Sequence, residues 1–338
     1  GSGKINFGTV IVNGPGSGTA SGTNRMLTLT SWTIGIRGDL TINNNGEFNT
    51  GIGVILGGNL VVNTGGILTH TGTFSLALGQ GTSSVVNPSS QQITNTGTIR
   101  NLAASPTANF SSLTINSSNA TGVTLNSPIS VSGTLTLTSG FVNTTATNLL
   151  TLGTATAAGT LSGGSATAFI NGPFARTFAA SRTAAGTYTA TTLYPVGKGT
   201  TYQPMWIDPS TSSGGPVVLS GEAFLTNSGT MGAGVTSLSQ ARWEGLVISG
   251  GANLTNSYLQ ISDAGILASN AILQASSAAG AYGGVPASSI YTAGPPITLK
   301  TGSAIPVASY QGYFAYGNLT PCATPTAQPT SFVASYKT

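Results

Sequence analysis

The chain has 338 residues, of which 5% are charged, against roughly 25% in an ordinary soluble domain. Ten basic and six acidic residues give a formal net charge of +4, and the basic ones are scattered singly from Lys4 to Lys337. Nucleic-acid binding needs clustered Lys and Arg against successive phosphates, so that class is excluded. No apolar run approaches the ~18 residues of a membrane-spanning helix. The single cysteine, Cys322, excludes an internal disulfide and leaves either a free thiol or a pairing with a cysteine elsewhere. So little charge favours disorder unless enough apolar surface is buried. The alternating runs of Val, Ile and Leu decide for ordered β-structure.

Ile5 to Val12 is an apolar-rich β-segment standing alone before a glycine-rich stretch, and an exchanged strand is one reading of it. The stretch from Gly14 to Gly22 contains Pro15 and leads into no helix, which argues against a nucleotide-binding turn. Short alternating units then recur: Leu27-Thr28-Leu29-Thr30, Leu40-Thr41-Ile42-Asn43, Leu60-Val61-Val62-Asn63, Leu113-Thr114-Ile115-Asn116, Val123-Thr124-Leu125-Asn126 and Leu135-Thr136-Leu137-Thr138. Each sends two apolar side chains to one face and two others to the opposite face. Asn45-Gly46, Gly65-Gly66 and Ser139-Gly140 follow as corners, where positive φ is tolerated. Leu40 and Leu60 are 20 positions apart, Leu113 and Leu135 are 22. Periods near 20 belong to stacked coils, which bury together an apolar column that no single coil buries alone. The fold class expected is therefore all-β. Residues 1–175 are read as a β-solenoid, a right-handed β-helix, with a sandwich of short hairpins as the alternative.

Near residue 170 the texture changes, and most prolines, tyrosines and tryptophans follow. Gln203–Ile207, Ala241–Leu246, Val217–Leu219 and Leu254–Ile261 read as strands between Gly, Pro and Ser turns, so residues 176–318 are expected to form a β-sandwich-like domain. Ala264–Ala279 is the best helix candidate. Residues 319–338 are Pro/Thr-rich and read as a linker towards a downstream module. The opening Gly1-Ser2-Gly3-Lys4 carries no signal peptide, so the chain is expected to be a processed or internal fragment.

Three stretches carry a resemblance to a known class. The first runs from Gly122-Val123-Thr124-Leu125-Asn126 through Gly133-Thr134-Leu135-Thr136-Leu137 to Asn148-Leu149-Leu150-Thr151-Leu152. The second is Phe169-Ile170-Asn171-Gly172-Pro173 with Tyr194-Pro195-Val196-Gly197-Lys198-Gly199 and Tyr202-Gln203-Pro204. The third is Arg242-Trp243-Glu244 with Gly312-Tyr313-Phe314-Ala315-Tyr316-Gly317. Across residues 40–318 the chain resembles large, modular, adhesin-like secreted proteins of Bacteroidota exported by the type IX secretion system. Pro321-Cys322-Ala323-Thr324-Pro325-Thr326 resembles their junctions into fibronectin-like modules or a sorting domain. The resemblance implies an extracellular or cell-surface location and offers no catalytic residues.

Chemistry is sparse. The six carboxylates are Asp39, Glu47, Asp208, Glu222, Glu244 and Asp263. Glycoside hydrolysis needs two across one bond, and only Asp39 and Glu47, on adjacent coils, merit consideration; corner or surface positions are the preferred reading. His70, the lone histidine, reads as a solvent-facing ladder residue. A zinc site would have to draw on His70 and the distant Cys322. Gly197-Lys198-Gly199-Thr200 lacks the spacing of a phosphate loop and reads as a turn. Tyr310, Tyr313, Phe314 and Tyr316 would stack on sugars if exposed, although a core or edge strand explains them better. The Thr-x-Thr pairs Thr28/Thr30 and Thr136/Thr138 prompt an ice-binding reading that the mixed outward residues weaken.

No catalytic, cofactor-binding or metal residues are assigned, and no cofactor is expected. The function expected is a non-catalytic extracellular structural or adhesive protein, including a fibre subunit joined by strand or end-to-end β contacts. The alternative is a carbohydrate-binding module of a larger secreted protein. Expected partners are further copies or other surface proteins, with a glycan as the other ligand class.

Overall fold

The computed structural model describes residues 4–14, 25–29, 33–50, 53–70, 72–76, 91–100, 109–118 and 121–320. Cys322, Pro15 to Gly22, Thr30 and all but the first residues of the expected linker lie outside them. The protein is nearly all β, arranged in several sheets, as expected. Its helical content among the described residues is one turn, Val307–Tyr310, and a 3-10 turn, Gly251–Asn253.

Three sheets of the first half are parallel and are visited in rotation. Thr33–Ile36 lies in the first sheet, Leu40–Ile42 in the second and Gly46–Thr50 in the third, after which Val54–Leu56 returns to the first. Lys4–Phe7 pairs with Thr33–Ile36, and Val10–Val12 with Leu40–Ile42. Ile5 to Val12 is therefore two strands bent at Gly8-Thr9, each in a different sheet, and not one isolated segment. The repeats stack in register: Leu40 on Leu60, Ile42 on Val62, Phe48 on Leu68, Leu113 on Leu135.

Alternation decides which side chains go inward. Leu40, Ile42, Leu60 and Val62 are fully buried, whereas Thr41 and Val61 between them are half-buried. Burying a side chain of this size contributes about 1.5–3 kcal/mol each. Outward polar residues form ladders: Asn43 Nδ2 donates to Asn13 Oδ1 at 2.6 Å and Asn63 Nδ2 to Asn43 Oδ1 at 2.7 Å. Stacked strands lie about 4.7–4.9 Å apart, so like charges in such a ladder would repel, and neutral amides do not. The corners need left-handed backbone: Asn45 has φ 59° and Gly65 φ 77°, and a Cβ on Gly65 would stand 2.1 Å from Asn44 Oδ1.

The second half pairs differently. Phe174–Phe178 lies parallel to Leu150–Leu152 on one edge and antiparallel to Val217–Phe224 on the other. The boundary expected at 175 falls inside this strand, and one apolar core runs past it from Val12 to Phe314. Beyond it the first sheet continues through Val217–Phe224, Arg242–Ser249, Gly312–Gly317 and Ala271–Ala275. A further sheet, centred on Met205–Thr211 and Leu254–Ser262, is also antiparallel. Trp243, Met205, Ile207, Leu219, Leu259 and Phe314 are fully buried in the common core. The expected helix at Ala264–Ala279 is instead a turn followed by the strand Ala271–Ala275, whose residues pair with Gly312–Gly317. The alanine-rich run has helical propensity, but cross-strand pairing overrides that weak preference.

Candidate functional site

Charge in this protein collects on one sheet face. Val217–Phe224, Arg242–Ser249 and Gly312–Gly317 are neighbouring antiparallel strands, and their register sets Glu222 opposite Glu244 and Glu244 opposite Tyr313. The next outward pair is Phe224 opposite Arg242. Directly opposite residues on one face have Cβ atoms about 4.5–5.5 Å apart. Lys198 joins from the hairpin Val196–Lys198/Thr201–Tyr202, whose turn carries Gly199 at φ 61°. Its Nζ lies 2.9 Å from Glu222 Oε1. Of the ten basic and six acidic side chains in the chain, four meet here.

Two carboxylates side by side resist joint ionisation. Burial pushes the Glu244 carboxyl above its usual range, and the neighbouring Glu222 adds to this, while the Tyr313 hydroxyl and Arg242 oppose it. Glu222 is offset by Lys198. The Arg242 guanidinium lies 4.5 Å from the Phe224 ring centroid and 5.0 Å from that of Tyr313, and Lys198 Nζ lies 5.5 Å from Phe224. Arg242 Nη1 also donates to Ser228 Oγ and Ala278 O, each at 3.2 Å. Chemically, the patch offers half-buried acceptors and donors that already engage one another, with its aromatic rings flanked by cations.

The remaining carboxylates serve the fold. Asp39 Oδ1 accepts from the Asn59 N–H at 2.7 Å, at the corner before the second sheet. Glu47 lies on a third-sheet strand, is buried and accepts from Thr69 Oγ1 at 3.1 Å. Asp39 therefore stands at a corner and Glu47 on a strand, each with its own partner, and Glu47 is not the corner or surface residue expected. Asp208 is fully buried; its Oδ2 accepts from the N–H groups of Ala185, Gly186 and Thr187 at 3.0, 2.8 and 3.2 Å, and Arg182 pairs with its other oxygen. Asp263 accepts from Gln203 Nε2 at 2.7 Å and the Tyr316 hydroxyl at 2.8 Å. All six carboxylates have partners.

His70 is 1% exposed, contrary to the solvent-facing position expected. It packs against Phe110 and Phe74, with ring centroids 5.2 and 5.9 Å away, and Nδ1 stands 3.2 Å from Gly72 O. Burial lowers its pKa from 6.5. The signal was present: Leu68 is inward, and a residue two positions on shares its face. The turn expected at Gly197-Lys198-Gly199-Thr200 is residues 199–200 of a hairpin, with Gly197 and Lys198 in its first strand. Tyr310 and Phe314 are fully buried, Tyr313 and Tyr316 half-buried. The outward row through Thr136 reads Gly35, Ile55, Ser75, Thr114, Thr136, Ser162, too mixed for a regular threonine array.

Among the described residues no three His, Cys, Asp or Glu side chains gather to hold a metal ion, and no helix is long and apolar enough to cross a membrane. Fold and site define an all-β protein with a self-engaged charged sheet face. Comparison with protein-family models, curated proteins and solved structures gave no match to this chain.

Proposed function

We propose that this chain is a non-catalytic extracellular surface protein, structural or adhesive in role. In this reading the three parallel sheets are the faces of one β-solenoid that serves as a stiff spacer, and the antiparallel part is its sandwich-like end piece. The observation that carries it is the division of labour among side chains. Apolar rows face inward in register, the outward rows are uncharged mixtures that include amide ladders, and every carboxylate holds a backbone or side-chain partner. A stiff, neutral, ladder-lined surface suits association with further copies or other surface proteins. The resemblance to type IX-secreted proteins of Bacteroidota supports the same location.

A carbohydrate-binding role draws weaker support. Sugar rings stack on open aromatic faces, and the rings of Phe224 and Tyr313 have Arg242 over them. Immunogold electron microscopy of intact producing cells tests the proposal. Label along extracellular filaments or over the outer surface is the result expected; label confined to the cytoplasm would overturn it.

A further inference from the structure

We infer that the outward face of the sheet centred on Met205–Thr211 and Leu254–Ser262 binds a uronate-containing polysaccharide through Trp206, Gln260 and Lys300. The inference rests on the adhesive reading above and gives it a ligand class.

Five antiparallel strands neighbour one another here, in the order Leu193–Tyr194, Met205–Thr211, Leu254–Ser262, Thr298–Thr301 and Ser289–Thr292. Their register sets Leu193 opposite Trp206, Trp206 opposite Gln260, Gln260 opposite Lys300 and Lys300 opposite Ile290. Directly opposite residues share a face, so these side chains form one row across the sheet. Their neighbours along the strands, Met205, Ile207, Leu259, Ile261 and Leu299, are fully buried, which makes this row the outward one. The next row on the same face, Asp208 opposite Tyr258, lies under the segment bound to Asp208. A Cβ on Gly186 of that segment would stand 3.2 Å from the Tyr258 ring. The segment therefore walls the open row on one side.

Three side chains of the row have binding capacity that the fold does not use. Trp206 is half-buried yet packs in neither apolar cluster, and among the described residues no ring or cation covers it and no acceptor takes its indole N–H. Gln260 is only 8% exposed, and its carboxamide makes no hydrogen bond among the described residues. An amide so nearly covered loses water without a replacement, and a ligand hydroxyl supplies one. Lys300 Nζ lies 5.5 Å from the Tyr188 ring centroid and pairs with no carboxylate among the described residues. Asp208, two positions from Trp206, is fully buried and held by Arg182 and three N–H groups, so the free charge of this face is positive. An open indole stacks on the apolar face of a sugar ring, the amide meets its hydroxyls, and the ammonium meets a carboxylate. Strands lie about 4.7–4.9 Å apart, so Trp206 and Lys300, two strands apart, suit a stacked sugar and its charged neighbour. One cation answers one carboxylate per sugar, whereas a densely sulfated chain calls for several. The rings beneath Arg242 on the other sheet offer no such platform.

The test is calorimetric titration of the full chain with tetragalacturonate, beside a neutral tetrasaccharide and poly-glutamate. Tetragalacturonate is expected to bind more tightly than either. Trp206→Ala should weaken it by about tenfold or more. Lys300→Gln should weaken it several-fold and erase the preference over the neutral sugar, while Lys300→Arg keeps that preference. No binding of tetragalacturonate, or binding unmoved by Lys300→Gln, would overturn the site. Poly-glutamate bound as tightly would make the partner an acidic peptide and overturn the saccharide class. Surface label on cells without tetragalacturonate binding would sink this site alone; binding with label confined to the cytoplasm would sink the surface reading and leave the site standing.

Discussion

The Tyr316 hydroxyl donates to Asp263 Oδ1 at 2.8 Å, joining a strand of the first sheet to the end of Leu254–Ser262 in the opposing antiparallel sheet. Gln203 Nε2 holds the other carboxylate oxygen at 2.7 Å, and Trp243 Nε1 donates to the Gln203 carbonyl at 2.9 Å. Tyr316→Phe keeps the ring and removes one donor to a charged acceptor, so a loss of about 1.5–3 kcal/mol in urea unfolding is expected. Asp263→Ala is expected to cost more, because Gln203 and Tyr316 both lose their acceptor. The double variant should fall short of the sum of the two single losses.

Asp208 anchors the segment from Arg182 to Thr187 through three backbone N–H groups and one ion pair. Asp208→Ala removes the acceptor of those N–H groups and the charged partner of Arg182, which keeps only the Pro209 carbonyl. Breaking a buried pair from one side costs about 3–5 kcal/mol. Denaturant unfolding should show this loss, and limited proteolysis should cut first near residues 182–187.

Inward and outward positions of one strand should respond oppositely. Leu60→Ala opens a cavity in the column between Leu40 and Ile93 and is expected to cost about 2–5 kcal/mol. Val61→Thr, one residue along on the outer row, is expected to stay within about 0.5 kcal/mol. Thermal unfolding of the two variants checks this, and equal effects would contradict the register.

The protein should have two opposed pH responses. His70 is held neutral by burial, so the unfolded chain binds more protons as pH falls through 6.5, and stability drops below that value. His70→Leu should remove this acid loss. Glu244 behaves in the opposite sense: its folded carboxyl holds a proton above the ordinary 4.5, so stability falls as pH rises upward from there. Glu244→Gln should therefore gain on the parent protein between acid and neutral pH. Denaturation midpoints measured from pH 4 to pH 8 check both slopes.

Period-two alternation was readable from residues such as Leu40-Thr41-Ile42-Asn43, because a strand's side-chain direction is a local property of the backbone. The corners at Asn45 and Gly65 were readable for a similar reason, since positive φ selects few residue types. His70 was legible from Leu68 by the same period, despite its polar ring. The expected spacings of 20 and 22 coincide with the stacking of Leu40 on Leu60 and Leu113 on Leu135. What lies across strands was not readable. Glu222 and Glu244 meet only because the chain between them returns antiparallel in one particular register, and Lys198 reaches them from a separate hairpin. Ala271–Ala275 became a strand because Gly312–Gly317 lay beside it, and Asp208 gained its partners from a loop more than 20 positions earlier. Direction along a strand is decided by neighbouring covalent bonds, whereas a partner across the sheet is decided by which distant segment the folded chain brings alongside.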